Sequence, residues 1–127
     1  FFQATQPVSI AATVDVDKSA KLSSVVAWLS SAAITTGSDT AEIDMVGYSK
    51  IRIYGTSDSA NSWCVGYRPS SGGTTYLDPD FYINGSDPSG GSTYYINVEL
   101  EPSNRYICLR NIHSGTQTAT LYYTLSR

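Results

Sequence analysis

Histidine occurs once in this sequence, as His113, and cysteine only twice, as Cys64 and Cys108. Any Ser-His-Asp or Cys-His arrangement therefore hinges on a single histidine, which sits in the turn-forming string "NIHSGTQ". No G-x-S-x-G elbow precedes a helix-forming stretch, so a hydrolase triad has nothing to stand on. The ligand set of a zinc site is missing too, because there is no C-x-x-C pair and no His/Cys cluster. The two cysteines lie in strand-like sequence, "NSWCVGY" and "RYICLRNI", and read as buried thiols on neighbouring strands, with a disulfide as the alternative.

Charge is sparse as well: 15% of the 127 residues, with a formal net charge of −3. The eight Lys and Arg residues are scattered singly, so no basic stripe exists to hold a phosphate backbone, and nucleic acid is not an expected partner. No apolar run reaches the roughly 18 residues that a membrane helix needs. "VVAWLSSAAI" comes nearest and is too short and too polar, so a membrane is not an expected partner either.

What the sequence has in quantity is hydroxyl groups. Ser and Thr supply about a quarter of the chain and Tyr occurs ten times, the palette of an extracellular or particle-exposed β protein. The length suits one domain, able to bury roughly two-thirds of its unfolded surface without metals or staples. Strand signals dominate after residue 40. "SKIRIYG" alternates Ile51 and Ile53 against Lys50 and Arg52, and "TYYINVEL" puts Tyr94, Ile96, Val98 and Leu100 on one face. "TATLYYTLS" does the same with Ala119, Leu121, Tyr123 and Leu125. Between such runs lie turn clusters, "GTSDSANS", "PSSGGTT", "NGSDPSGGS", "EPSN" and "HSGTQ". "DKSAKLSSVVAWLSSAAITTG" has the Ala and Leu of a short helix, yet its β-branched residues and Ser pairs favour strands. Val46-Gly47-Tyr48 reads as a turn feeding a central strand. Six or more strands at intervals of roughly 8–15 residues predict an all-β fold, an antiparallel β-sandwich of jelly-roll type, over residues 17–127.

Residues 1–16 differ from the rest. "ATQPVSIAATVDV" is β-prone, but Pro7 removes a ladder donor, which suits an edge strand or an extended N-terminal arm. Phe1, Phe2, Val8, Ile10, Val14 and Val16 carry more apolar surface than a solvated tail keeps exposed, so the arm is expected to lie in a groove of its own domain or of a neighbour. Two phenylalanines at the first positions, with neither Met nor signal-peptide regions, lead us to expect a start inside a longer or processed product.

The string "FFQATQPVSIA" closely resembles the aromatic-x-Q-A-T-Q-P-V-S segment that recurs, often in tandem, in structural proteins of tailed bacteriophages. The match covers about eleven residues and departs from the tandem pattern in having one copy. More loosely, "IDMVGYSKIRIYG" and the turn-separated strands after it look like the small β-sandwich domains found on phage virions. The resemblance implies a non-enzymatic virion structural protein on the particle surface, most simply a capsid decoration or cement protein. Phe1, Phe2, Gln6, Pro7, Val8 and Ile10 would be its arm contacts. Its partners would be other virion proteins, the major capsid protein or fibre and tail neighbours, with homotrimers as the assembly and no cofactor. The alternatives are a fibre-tip adhesin or carbohydrate-binding module, and a strand-exchanged extracellular filament subunit.

Two other patterns bear on chemistry. Asp78, Asp80, Asn84 and Asp87 around Gly85 faintly suggest a calcium loop, but the spacing is not that of an EF-hand, and Asx turns explain the residues. The same carboxylates, with Glu99 and Glu101, offer a glycosidase little, since two residues apart on a strand they share a face instead of flanking a sugar. The aromatic residues of the middle of the chain are better candidates. Trp63, Tyr67, Tyr76, Phe81 and Tyr82, with Tyr94 and Tyr95 nearby, are expected to supply surface contacts to a sugar or a protein, with about half of them in the core.

Overall fold

The computed structural model describes residues 22–59, 63–88 and 93–127. The expected arm, with all six of its contact residues, lies outside the described residues. Eight strands follow one another: β1 (Val26–Ile34), β2 (Ile43–Asp44), β3 (Lys50–Ser57), β4 (Trp63–Arg68), β5 (Tyr76–Ile83), β6 (Tyr94–Leu100), β7 (Tyr106–Asn111) and β8 (Gln117–Ser126). They form two antiparallel four-stranded sheets, in the orders β1-β8-β3-β6 and β2-β7-β4-β5. Among the described residues there is no helix. Only β4 and β5 are consecutive neighbours within a sheet; every other connection passes from one sheet to the other, the double-sheet winding of a jelly roll.

The period-2 patterns account for the core. Ile51, Ile53, Ile96, Leu100, Ala119, Leu121 and Leu125 of the first sheet pack with Ile43, Trp63, Val65, Ile83, Ile107 and Leu109 of the second and with Met45 beside it. Ile51, Ile53, Trp63 and Leu121 are fully shielded from solvent. Each such side chain contributes about 1.5–3 kcal/mol of burial. The stretch with mixed helix and strand character is β1. Its register against β8 shifts between Ala27 and Leu29 and again between Leu29 and Ala32, and Ser31 takes a positive φ of 48°. These irregularities keep Leu29 pointed into the core while the strand bends along the sheet edge. The expected turn is present after β2, where the Asp44 carboxylate accepts the Val46 amide and Met45 carbonyl accepts the Tyr48 amide. It delivers β3 between β8 and β6, where Ile51 and Ile53 face the core.

One end of the sandwich is tied by buried polar groups. The Ser57 hydroxyl donates to Gln117 Oε1 at 3.1 Å, and Gln117 Nε2 donates to Asn111 Oδ1 at 2.8 Å. Asn111 Nδ2 then donates to the carbonyls of Ile34 and Gly115, while its Oδ1 also accepts the His113 amide. Four strands, β1, β3, β7 and β8, and the β7–β8 turn thus share one network across the two sheets.

Gly55, in the middle of β3, has φ of 150°, and a Cβ there would stand 2.0 Å from the Thr120 carbonyl oxygen and 2.9 Å from Leu121 Cα on the adjacent strand. Neither atom can move without breaking the β3–β8 ladder. Gly55→Ala is therefore expected to cost about 2–4 kcal/mol in urea unfolding; a loss below about 0.5 kcal/mol would show that the close approach does not constrain the sheet.

Candidate functional site

The outer faces of the two sheets are built differently. On the second sheet, Cys64, Gly66 and Arg68 of β4 point away from the core beside Arg110, Cys108 and Tyr106 of β7. The segment around Thr75 and Leu77 folds over this row: a Cβ on Gly66 would lie 2.4 Å from Thr75 Cγ2 and 3.3 Å from Cys108 Sγ. Gly66 is thus what lets the cover seat. The cover explains why both thiols are buried and free, on adjacent strands and not directly opposite each other. Burial pushes both thiols up.

Asp39 is the hub of that face. Its carboxylate accepts Arg110 Nε at 2.7 Å, the Thr75 hydroxyl at 2.7 Å and Arg68 NH2 at 3.2 Å. Glu42 takes the other side of the Arg68 fork at 3.0 Å, together with the Ser71 hydroxyl and the Gly72 amide. Burial works to raise the Asp39 carboxyl, but the hydrogen bonds from Arg110, Thr75 and Arg68 outweigh it and leave it below the ordinary 3.8. Glu42 and Asp44 are also lowered, chiefly by the Gly72 amide and by Arg105 respectively. The network closes on itself and fastens the cover to the sheet.

The first sheet has no such cover among the described residues. Its outer face reads as three cross-strand rows through β8, β3 and β6: Thr124–Arg52–Glu99, Tyr122–Tyr54–Asn97 and Thr120–Thr56–Tyr95. Tyr54 and Tyr122 stack, with ring centroids 5.7 Å apart and planes 26° from parallel. Tyr122 is 37% exposed and Tyr95 46%. Arg52 lies across the sheet, donating to Asn97 Oδ1 at 2.8 Å and to Glu99 Oε1 at 2.9 Å. Shallow concavities flank the tyrosine row at both ends. One, about 430 Å³, is lined by Asp58 and by hydroxyl side chains including Ser31, Thr56, Thr93, Thr118 and Thr120; the other, about 230 Å³, by Arg52, Glu99, Thr124, Ser126 and Leu22.

The aromatic residues expected at the surface divide. Trp63 is a core residue and presents no surface, because it alternates inward with Val65 and meets Ile83 and Asn111 across its two ladders. Its indole Nε1 has no acceptor among the described residues. Phe81 is half-buried against the core. Tyr67 is also packed on the core, and its hydroxyl donates to Asp78 Oδ2 at 3.0 Å; burial first, then the Asp78 carboxylate, pushes that hydroxyl up to about 12. Tyr76 and Tyr82 are exposed, at 61% and 53%. They pair with Tyr67 and Cys64, register positions on opposite faces, with a bulge between them, so they form no common platform. The pair that does stack, Tyr54 and Tyr122, was absent from the expected set. Its signal was the outward half of the same alternations that marked Ile53 and Leu121.

His113 stands in the β7–β8 turn and its side chain makes no hydrogen bond to a nucleophile or carboxylate among the described residues. Asp78 accepts the Asp80 amide in an Asx turn besides the Tyr67 hydroxyl. No group of three His, Cys, Asp or Glu side chains among the described residues is placed to hold a metal ion. A cleft of about 390 Å³ between the β2–β3 turn and the β6–β7 loop holds Glu101 and Arg105, but the Arg105 guanidinium is engaged by Asp44.

No family model, curated protein or solved structure matches the chain, so its function is argued from its own residues.

Two outcomes test the covered face. Because the Asp39, Glu42 and Asp44 carboxyls titrate lower in the folded chain than unfolded, their stabilisation is complete above about pH 4 to 5 and is lost as pH falls through the lower folded values. In thermal melts from neutral pH to about pH 2.5, the gap between the wild type and Asp39→Asn is expected to narrow steadily; a constant gap would contradict the hub. Both thiols are expected to resist alkylation in the native protein and to react fully in denaturant. Rapid native labelling of Cys64 or Cys108 would mean that the 70–78 cover opens.

Proposed function

We propose that this chain is a non-enzymatic structural protein of a tailed-bacteriophage virion, displayed on the particle surface as a capsid decoration protein. The reading rests on the resemblance of residues 1–11 and on one structural observation at the root of the arm. Leu22 pairs with Ser126, and the Ser23 amide donates to the Leu125 carbonyl, so the chain runs into β1 along the edge of the first sheet. Leu22, Val25 and Val26 are 65%, 57% and 37% exposed there. An apolar root at an open strand edge suits strand addition, in which backbone pairing supplies affinity and alternate side chains supply specificity. In this reading Phe1 and Phe2 act as apolar plugs, Pro7 ends the pairing, and Gln6, Val8 and Ile10 lie along the neighbour. Other virion proteins, the major capsid protein first, are the neighbours, and the sandwiches associate as homotrimers. A jelly roll is compatible with a capsid role, though a fold alone does not decide function.

A second reading, a fibre-tip adhesin or carbohydrate-binding module, draws on a different observation, the stacked Tyr54–Tyr122 pair on a sheet face left uncovered among the described residues. The filament-subunit reading uses the same arm but polymerises head to tail.

Light scattering on the whole chain beside one lacking residues 1–16 separates them. The decoration reading expects three times the monomer mass for the whole chain, and a folded monomer for the shorter one. Mass that grows with concentration would favour the filament. Two equally stable monomers would overturn self-assembly through the arm.

A further inference from the structure

We infer that the outer face of the β1-β8-β3-β6 sheet is a binding site for a neutral glycan, with Tyr54 and Tyr122 as the stacking platform and Asn97, Tyr95 and the flanking threonines as hydrogen-bonding groups. The inference deepens the adhesin reading and needs nothing from the arm. Three features of the face converge on this ligand class.

The first is shape. The Tyr54 and Tyr122 rings stack on one another, 5.7 Å apart and 26° from parallel, and form one aromatic block between two shallow concavities, with Tyr122 37% exposed. A pyranose has one face of C–H bonds, which rests well on an electron-rich ring face. Its hydroxyls project sideways from that face, into the concavities.

The second is charge. The three rows contain two charged groups, Arg52 and Glu99, which neutralise each other through a hydrogen bond of 2.9 Å, and the larger concavity adds one carboxylate, Asp58, which accepts the Thr118 amide. Such a face offers a phosphate or carboxylate ligand no net attraction, and an uncharged ligand suffers no unpaired-charge cost on it.

The third is hydrogen-bonding capacity. Asn97 uses its carbonyl oxygen on Arg52, which fixes the amide with its N–H groups turned to no partner among the described residues. Tyr95 and Tyr122 are exposed on the same face and carry hydroxyls that both donate and accept. Donors held in place by a sheet, around an apolar platform, are the complement of a polyhydroxyl ring. A protein interface core of comparable size would present aliphatic anchors, and these rows contain none.

The test begins with the whole chain on a printed array of neutral and acidic oligosaccharides, bacterial surface glycans included. It continues with amide chemical shifts of the labelled protein titrated with the best-retained oligosaccharide. Retention of neutral glycans is expected, with saturable shifts at Tyr54, Asn97 and Tyr122. Tyr54→Thr and Tyr122→Thr keep strand propensity and should each weaken binding about tenfold or more. Tyr76→Thr with Tyr82→Thr, on the other sheet, should leave binding unchanged. Should either face variant fail to fold, Asn97→Ala, a small exposed change, is expected to weaken binding several-fold with the melting temperature unaltered. Retention of acidic glycans alone, no retention at all, or shifts confined to β5 would each overturn the inference. None of these results depends on whether the chain is a trimer, so a failure here leaves the virion reading to its own measurement.

Discussion

A buried chain of hydrogen bonds from Ser57 through Gln117 to Asn111 holds the two sheets of this sandwich in fixed relation. In so apolar an interior, each donor and acceptor left unmet would cost about 1–3 kcal/mol, so the members stand or fall together. Asn111 also binds the carbonyls of Ile34 and Gly115 and the His113 amide, which sets where β1 ends and how β8 begins. From that starting point β8 pairs with β1 on one side and with β3 on the other. A slip of one residue in either ladder would send every side chain of β8 to the opposite face. Tyr122 stands opposite Tyr54 because this register is pinned at its far end.

The same sandwich treats its two outer faces in opposite ways. The second sheet is covered by the 70–78 segment, seated where Gly66 has no side chain and fastened by Asp39 and Glu42 to Arg68 and Arg110. The consequence is a charged but self-satisfied surface with two inert thiols beneath it. The first sheet carries tyrosines, threonines and one neutralised ion pair, open among the described residues. Strand edges differ as well. β5 bears Pro79 and a bulge, β2 spans two residues and β1 carries two register shifts, devices that discourage pairing, while the chain entering β1 is apolar and exposed at Leu22 and Val25. The open face and the exposed apolar stretch before β1 are therefore both on the first sheet.

Much of the architecture was legible along the chain. Alternation in "SKIRIYG", "TYYINVEL" and "TATLYYTLS" names inward residues that, Tyr94 apart, are in the core or packed against it. The turn clusters fall between strands, except that Gly55, Thr56 and Ser57 of "GTSDSANS" continue β3 and Gln117 of "HSGTQ" opens β8. The thiols were read as buried neighbours and are. The aromatic site was less legible. Trp63 follows a turn cluster in the sequence, yet the chain is already in β4 at that point and its parity is inward. Tyr54 and Tyr122 were passed over because each, in its own segment, is only the outward partner of a core residue.

Local chemistry determines which residues prefer extended backbone, where the chain turns and which half of each strand is apolar, since all three depend on near neighbours. The amino-acid sequence therefore determined by itself an all-β sandwich with two buried thiols and little charge. Which outward residues stand side by side depends on strand order and register, and these are decided by pairing between segments tens of residues apart. Only the tertiary structure could bring Tyr54 to Tyr122, lay Arg52 on Asn97 and Glu99, and close the Asp39 network over one sheet while leaving the other uncovered among the described residues.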